Sequence, residues 1–145
     1  MFTAKTNTCM AFLYILRNAV GMTYVGVSKH PLTRLKDHNS ASRSLQRHYT
    51  NRHRPWTLAA VFDGFATRAQ ALRAEYMVKH KPQRIRNPVA IVARIATAQA
   101  TCRHLLKNDH KFHTVKALTV ILWQEDIHQA LTGSTDAVIA HLYVG

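Results

Sequence analysis

The sequence predicts an α+β fold: a small antiparallel three-stranded sheet flanked by helices, with a C-terminal extension of helical or mixed character. Three observations predict it. Residues 11–17 and 22–28 are short runs of aliphatic, aromatic and β-branched residues joined by the turn-forming Asn18-Ala19-Val20-Gly21, the pattern of a β-hairpin. A third strand-like run covers 56–62. Segments with helix-start signals follow the second and third runs, and the whole chain, 145 residues with 47% apolar residues, is one domain's worth of core.

Taken in order, the hairpin is followed by Pro31, suited to a first helical turn because its missing N–H has no intrahelical acceptor there. Leu32 and Leu35 give that helix an apolar edge as far as about Asn39. Residues 39–54, rich in Ser, Arg, His and Asn, read as a basic loop with some helix. After the third strand, Thr67 and Gln70 fit a capping box that opens a helix running through about Lys81, and Pro82 helps to stop it. Val92, Ile95, Ala98, Cys102, Leu105 and Leu106 recur at helical spacing and predict a helix over 89–107. Residues 115–123 look like a strand, while 125–131 and 137–144 fit helix or strand equally. On this reading 1–87 form one domain, and 88–145 pack on the same core as an extension of unassigned function.

Charge narrows the function. Lys and Arg number 20 against 7 acidic residues, for a formal net charge of +13, and a polyanion is the expected partner. The excess is lopsided: residues 1–87 hold 15 Lys/Arg against Asp37, Asp63 and Glu75, while residues 88–145 are almost neutral. The longest apolar run, 9–16, is far short of the roughly 20 residues that span a bilayer. Arg17 separates that run from any signal-peptide cleavage site, so an intracellular, non-secreted protein is expected, in nucleus or cytoplasm. Two cysteines, Cys9 and Cys102, are too few for a disulfide framework or a four-cysteine zinc site.

Certain side chains stand out. Arg34 and His38 are four apart and share one face of the first helix. Glu75, with Ala71 and Leu72 before it and Val78 after, reads as a carboxylate near the middle of an apolar stripe, which calls for Arg34, another cation or a metal ion. Tyr14 and Tyr24 fall in the two hairpin strands on one face, and Gly26 leaves room for a close approach by a helix or a phosphate.

Leu13-Tyr14-Ile15, then Tyr24-Val25-Gly26, then Arg34 and His38 in 32–39, then Glu75 in 71–76, resemble the ordered motifs of the GIY-YIG endonucleases over roughly residues 11–87. Residues 24–39, with Arg54-Pro55-Trp56 and Asp63-Gly64-Phe65, resemble most the Slx-type catalytic subunits that cut branched DNA. The first motif begins with Leu13 where many members have Gly. Two cysteines cannot build the RING-type zinc module that accompanies the eukaryotic Slx-type subunits.

The resemblance implies a metal-dependent endonuclease of repair or recombination type that leaves 5′-phosphate and 3′-hydroxyl ends. Glu75 would hold Mg²⁺ or Mn²⁺, and Tyr14 would orient or deprotonate the attacking water. Tyr24 and His38 would position water and phosphate, and Arg34 would neutralise the developing charge. Arg43, Arg47, Arg52 and Arg54, with Tyr49 and Trp56 as stacking faces, and Lys79, Lys81, Arg84, Arg86 and Asn87 are the expected DNA contacts. A protein partner or self-association through 88–145 is compatible with this. A site-specific restriction or homing enzyme and a non-catalytic DNA-binding module are the alternatives. The spacing of His110 and His113 offers no metal site without further ligands.

Overall fold

Strand β1 (Phe12–Asn18) pairs antiparallel with β2 (Thr23–Ser28), setting Tyr14 opposite Gly26 and Leu16 opposite Tyr24. These belong to a computed structural model that describes residues 11–40, 49–80, 88–108, 118–131 and 139–143. The hairpin closes as the sequence predicts. Gly21 takes a positive φ of 88°, and the Asn18 side chain accepts from the Met22 N–H at 2.9 Å. β3 (Trp56–Asp63) lies antiparallel along the other edge of β1.

The expected three strands are the beginning of a longer sheet. β4 (Leu118–Leu122) pairs antiparallel with β3, and β5 (Ile139–Tyr143) parallel with β4, in the order β2-β1-β3-β4-β5. Between β4 and β5 runs a helix over 125–131, one of the two segments whose pattern left helix and strand open. It serves as the crossover that a parallel pair requires. The hairpin strands are legible as two apolar and aromatic runs joined by a local turn, whereas the partner of β4 lies some sixty residues back.

The helices are α1 (Pro31–His38), α2 (Tyr49–Arg52), α3 (Arg68–His80), α4 (Ala90–Asn108) and α5 (Glu125–Leu131). At α3 the capping box forms: Thr67 Oγ1 accepts from the Gln70 N–H at 3.2 Å, and Gln70 Oε1 accepts from the Ala66 N–H at 2.9 Å, one residue beyond the usual reach. Period-2 alternation in β1 sends Leu13 and Ile15 to a core with Val25, Phe62, Ala74, Ile95, Leu122 and Ile127. The opposite face gathers Phe12, Tyr14, Leu16, Trp56, Leu58, Val61 and Ile121, with Tyr24 and Leu35 partly buried against them.

Two details differ from expectation. Leu32 is exposed, and α1 instead buries Pro31 and His38, because the imidazole finds hydrogen-bond partners at both nitrogens. The buried stripe of α3 comprises Gln70, Ala71, Ala74, Met77 and Val78, while Leu72 and Tyr76 are exposed. Glu75 therefore sits on the shoulder of the stripe rather than its middle. In α4, burial pushes the Cys102 thiol up to about 12. Cys102 should resist alkylation in the native protein at pH 8 and react only on unfolding; mass-spectrometric labelling with iodoacetamide checks this.

Candidate active site

Tyr14 is the centre of the site, and Gly26 makes room for it. A Cβ on Gly26 would lie 2.6 Å from both Cζ and the hydroxyl oxygen of Tyr14, so the phenol, not a helix or a phosphate, occupies the space opposite the glycine. Tyr14 is buried and has nowhere to retreat. Gly26→Ala should lower stability by about 1–3 kcal/mol through overpacking, and the cleavage activity that the resemblance implies by at least about tenfold through the displaced ring. Thermal melts and cleavage rates measured together check both effects.

His38, the last residue of α1, reaches the same hydroxyl: its Nε2 is 2.8 Å from Tyr14 Oη, and its Nδ1 is 2.6 Å from Thr50 Oγ1. A hydroxyl at each nitrogen satisfies either tautomer of the neutral ring. The Thr50 carbonyl accepts in turn from the Trp56 indole N–H at 2.7 Å. Asn51 Nδ2 lies 2.9, 3.1 and 3.2 Å from the carbonyl oxygens of Asp37, His38 and Ser40, tying down the end of α1. The Tyr24 ring stands 4.8 Å from His38 and 6.4 Å from Tyr14, centroid to centroid.

Arg34, one turn before His38, pairs with Asp37 at 3.2 Å and keeps 44% of its side chain exposed. Glu75 is less exposed, at 21%, and meets Lys79 Nζ at 3.2 Å, so its cation is the neighbour one turn along α3 rather than Arg34. That ammonium also stands 5.6 Å from the Tyr24 ring centroid. The electrostatics of Tyr14 register the whole group. Burial, then Tyr24, pushes its phenol up to about 12; Arg34 opposes the rise by hydrogen bond and charge, and Glu75 adds to it. Five side chains, Tyr14, Tyr24, Arg34, His38 and Glu75, are thus brought together.

The remaining expectations divide. Arg52 and Arg54 are exposed, with Arg54 Nη1 donating to the Asn51 carbonyl at 2.7 Å. Lys79 belongs to the centre as well as to its basic border. Arg43, Arg47, Lys81, Arg84, Arg86 and Asn87 lie outside the described residues, as do His110, His113, Cys9 and the side chain of Tyr49. Trp56 is no stacking face: it is 2% exposed, its N–H committed to Thr50. Thr50 and Asn51 escaped sequence reasoning because nothing in a Ser/Arg/Asn-rich loop marks which polar residue turns inward. Lys79 had a signal, its i,i+4 spacing from Glu75.

Among the described residues no three His, Cys, Asp or Glu side chains cluster as a metal cage. A lone, half-buried carboxylate suits a hard cation that keeps most of its water.

A family model described as the GIY-YIG catalytic domain matches residues 10–87, which contain all five clustered residues. The chain belongs to the GIY-YIG family. Two relatives are named as structure-specific endonuclease subunits: slx1 of Aspergillus oryzae, 40% identical over 62 residues (41% of this chain, 15% of that protein), and SLX1 of Eremothecium gossypii, 32% identical over 114 residues (73% and 38%). A homolog of the same subunit in Leishmania infantum is 29% identical over 125 residues, 83% of this chain and 17% of that protein. The chain thus spans well under half the length of each of these relatives. The GIY-YIG match ends before α4, although α4, β4 and α5 share the core that supports Tyr14's strand. No helix among the described residues is long and apolar enough to cross a membrane.

Proposed function

We propose that the chain is a divalent-metal-dependent endonuclease that hydrolyses phosphodiester bonds in branched or flapped DNA, in repair or recombination. The observation that carries this reading is the convergence of two phenols, an imidazole and a guanidinium with a single carboxylate. The names of the relatives, structure-specific endonuclease subunits, support the branched substrate and a partner subunit.

Glu75 would hold Mg²⁺ or Mn²⁺, which when bound supplies Lewis-acid polarisation of the scissile phosphate. Tyr14 orients the attacking water. With its pKa near 12 the group is a phenol at neutral pH, so it acts as a base only by passing its own proton to His38 Nε2 as it takes the water's. Thr50 holds the imidazole's far nitrogen for that transfer. Arg34 stabilises the charge that builds on the phosphorus oxygens, and Tyr24 closes the side of the water site beneath Lys79. The ends left are 5′-phosphate and 3′-hydroxyl. Arg52, Arg54 and Lys79, with the basic residues named earlier at 43, 47, 81, 84 and 86 and Asn87, track the phosphates. Residues 88–145 complete the core and offer a partner subunit, or a second copy of the chain, its surface; the protein works where DNA is.

The test compares end-labelled flap, four-way junction and linear duplex in Mg²⁺ or Mn²⁺, with and without EDTA. Nicking near the branch that EDTA abolishes is expected. One fixed product on linear DNA favours a site-specific enzyme instead. Salt-sensitive binding without cutting under any metal favours a non-catalytic DNA-binding module.

A further inference from the structure

Beside Glu75, α3 carries a surface that the hydrolytic chemistry leaves unused. Tyr76 is 56% exposed and is the one aromatic among the exposed large apolar side chains of the described residues. Leu72, one turn before it, is exposed too, and His80, one turn after, packs against it in a tilted arrangement, with ring centroids 4.7 Å apart and 45° between planes. Residues 72, 76 and 80 therefore form a stripe at helical spacing that ends in a two-ring ledge. Arg73 and Lys79, both exposed, lie one turn to either side of Tyr76, and Lys79 links the ledge to Glu75 and to Tyr24. The apolar ring is thus bordered by cations, on a chain of net charge +13.

An aromatic face rimmed by positive charge suits a nucleobase whose backbone carries negative charge. Only an unpaired base can use it, because a base inside a duplex has both faces covered by its neighbours. The other rings of the site are unsuited: Tyr14 and Trp56 are buried, and Tyr24 is covered by His38 and Lys79. Tyr76 follows Glu75 directly, so a base stacked there would lie within about one or two nucleotides of the phosphate at the carboxylate. We propose that Tyr76, backed by His80, is a stacking platform for the first unpaired nucleobase of a branched strand, and that it contributes the preference for branched over continuous DNA. This rests on the endonuclease reading above and assigns its branch recognition to a surface distinct from the hydrolytic cluster.

The test uses flap DNA with 2-aminopurine at the first unpaired position, and the full chain as Glu75→Gln so that binding is read without cutting. Glu75→Gln should bind the flap more tightly than a duplex of equal length and quench the probe. Adding Tyr76→Ala should abolish the quenching and weaken flap binding about tenfold, bringing it close to the duplex value, while Tyr76→Trp restores both. Unchanged melting temperatures confirm that each variant folds. Flap affinity and quenching that survive Tyr76→Ala overturn the platform while leaving the endonuclease reading intact. A Glu75→Gln parent that does not distinguish flap from duplex overturns the branched-DNA reading and the platform with it. Flap binding that survives alongside loss of self-association in Tyr76→Ala, seen by sedimentation, assigns the ring to a second copy of the chain and overturns the proposal.

Discussion

Glu75→Gln should reduce cleavage by about a thousandfold or more while leaving the fold in place. The substitution keeps the shape of the side chain and removes the charge that would anchor the metal. A Lewis acid supplies several kcal/mol of barrier lowering, and each 1.36 kcal/mol is tenfold in rate, so loss of the anchor costs about three decades. Stability should barely move. Glu75 lies on the shoulder of α3, and its partner Lys79 is a partly exposed i,i+4 neighbour of a kind worth only about 0.3–0.5 kcal/mol before solvent screening. Cleavage time courses in Mg²⁺ and Mn²⁺ beside circular-dichroism melts read the two quantities separately. Cutting by Glu75→Gln at a rate close to the parent's would remove the carboxylate from the chemistry.

Tyr14→Phe isolates the hydroxyl. The ring remains over Gly26, while the oxygen that His38 Nε2 meets at 2.8 Å is gone. Loss of a group that orients and relays protons should slow cleavage by about 10²–10⁴-fold. One buried imidazole nitrogen loses its partner, at a cost of about 1–3 kcal/mol at neutral pH. The pH dependence of stability should change as well. The folded phenol titrates near 12, above its unfolded value of 10, chiefly because burial disfavours the phenolate and secondarily because of Tyr24. Its contribution is therefore fully present below pH 10 and is lost as pH rises from 10 towards 12. Denaturant unfolding between pH 8 and 11 should show a smaller alkaline loss in Tyr14→Phe than in the parent. Cys102 titrates high in both proteins and cancels in the comparison.

What could be read from the sequence was local. The hairpin, the start of α1 at Pro31, the capping box at Thr67 and the long period of α4 each follow from residues within a turn or two of one another, and the ordered tyrosines, Arg34, His38 and Glu75 meet in space. What escaped depended on distant partners. β5 is a strand because it lies beside β4 across a helical crossover, and its five residues alone do not distinguish strand from helix. Leu72 fits the apolar stripe of α3 in the sequence, but in the structure it is exposed and Glu75 moves from the middle of the stripe to its shoulder. Two alanines, 71 and 74, let the helix sit close to the sheet, so its larger neighbours turn outward. Trp56 reads as a surface ring in the sequence because its acceptor, the Thr50 carbonyl, comes from α2, a single short turn with no periodic signal.

Asn51 gathers three carbonyls at the end of α1 while its neighbour Thr50 grips the imidazole. Rotational freedom at residue 38 is therefore surrendered when the chain folds, not when substrate arrives. On the proposed mechanism, incoming DNA would meet a proton acceptor already aimed, and the energy of its contacts would remain for the strained geometry at phosphorus.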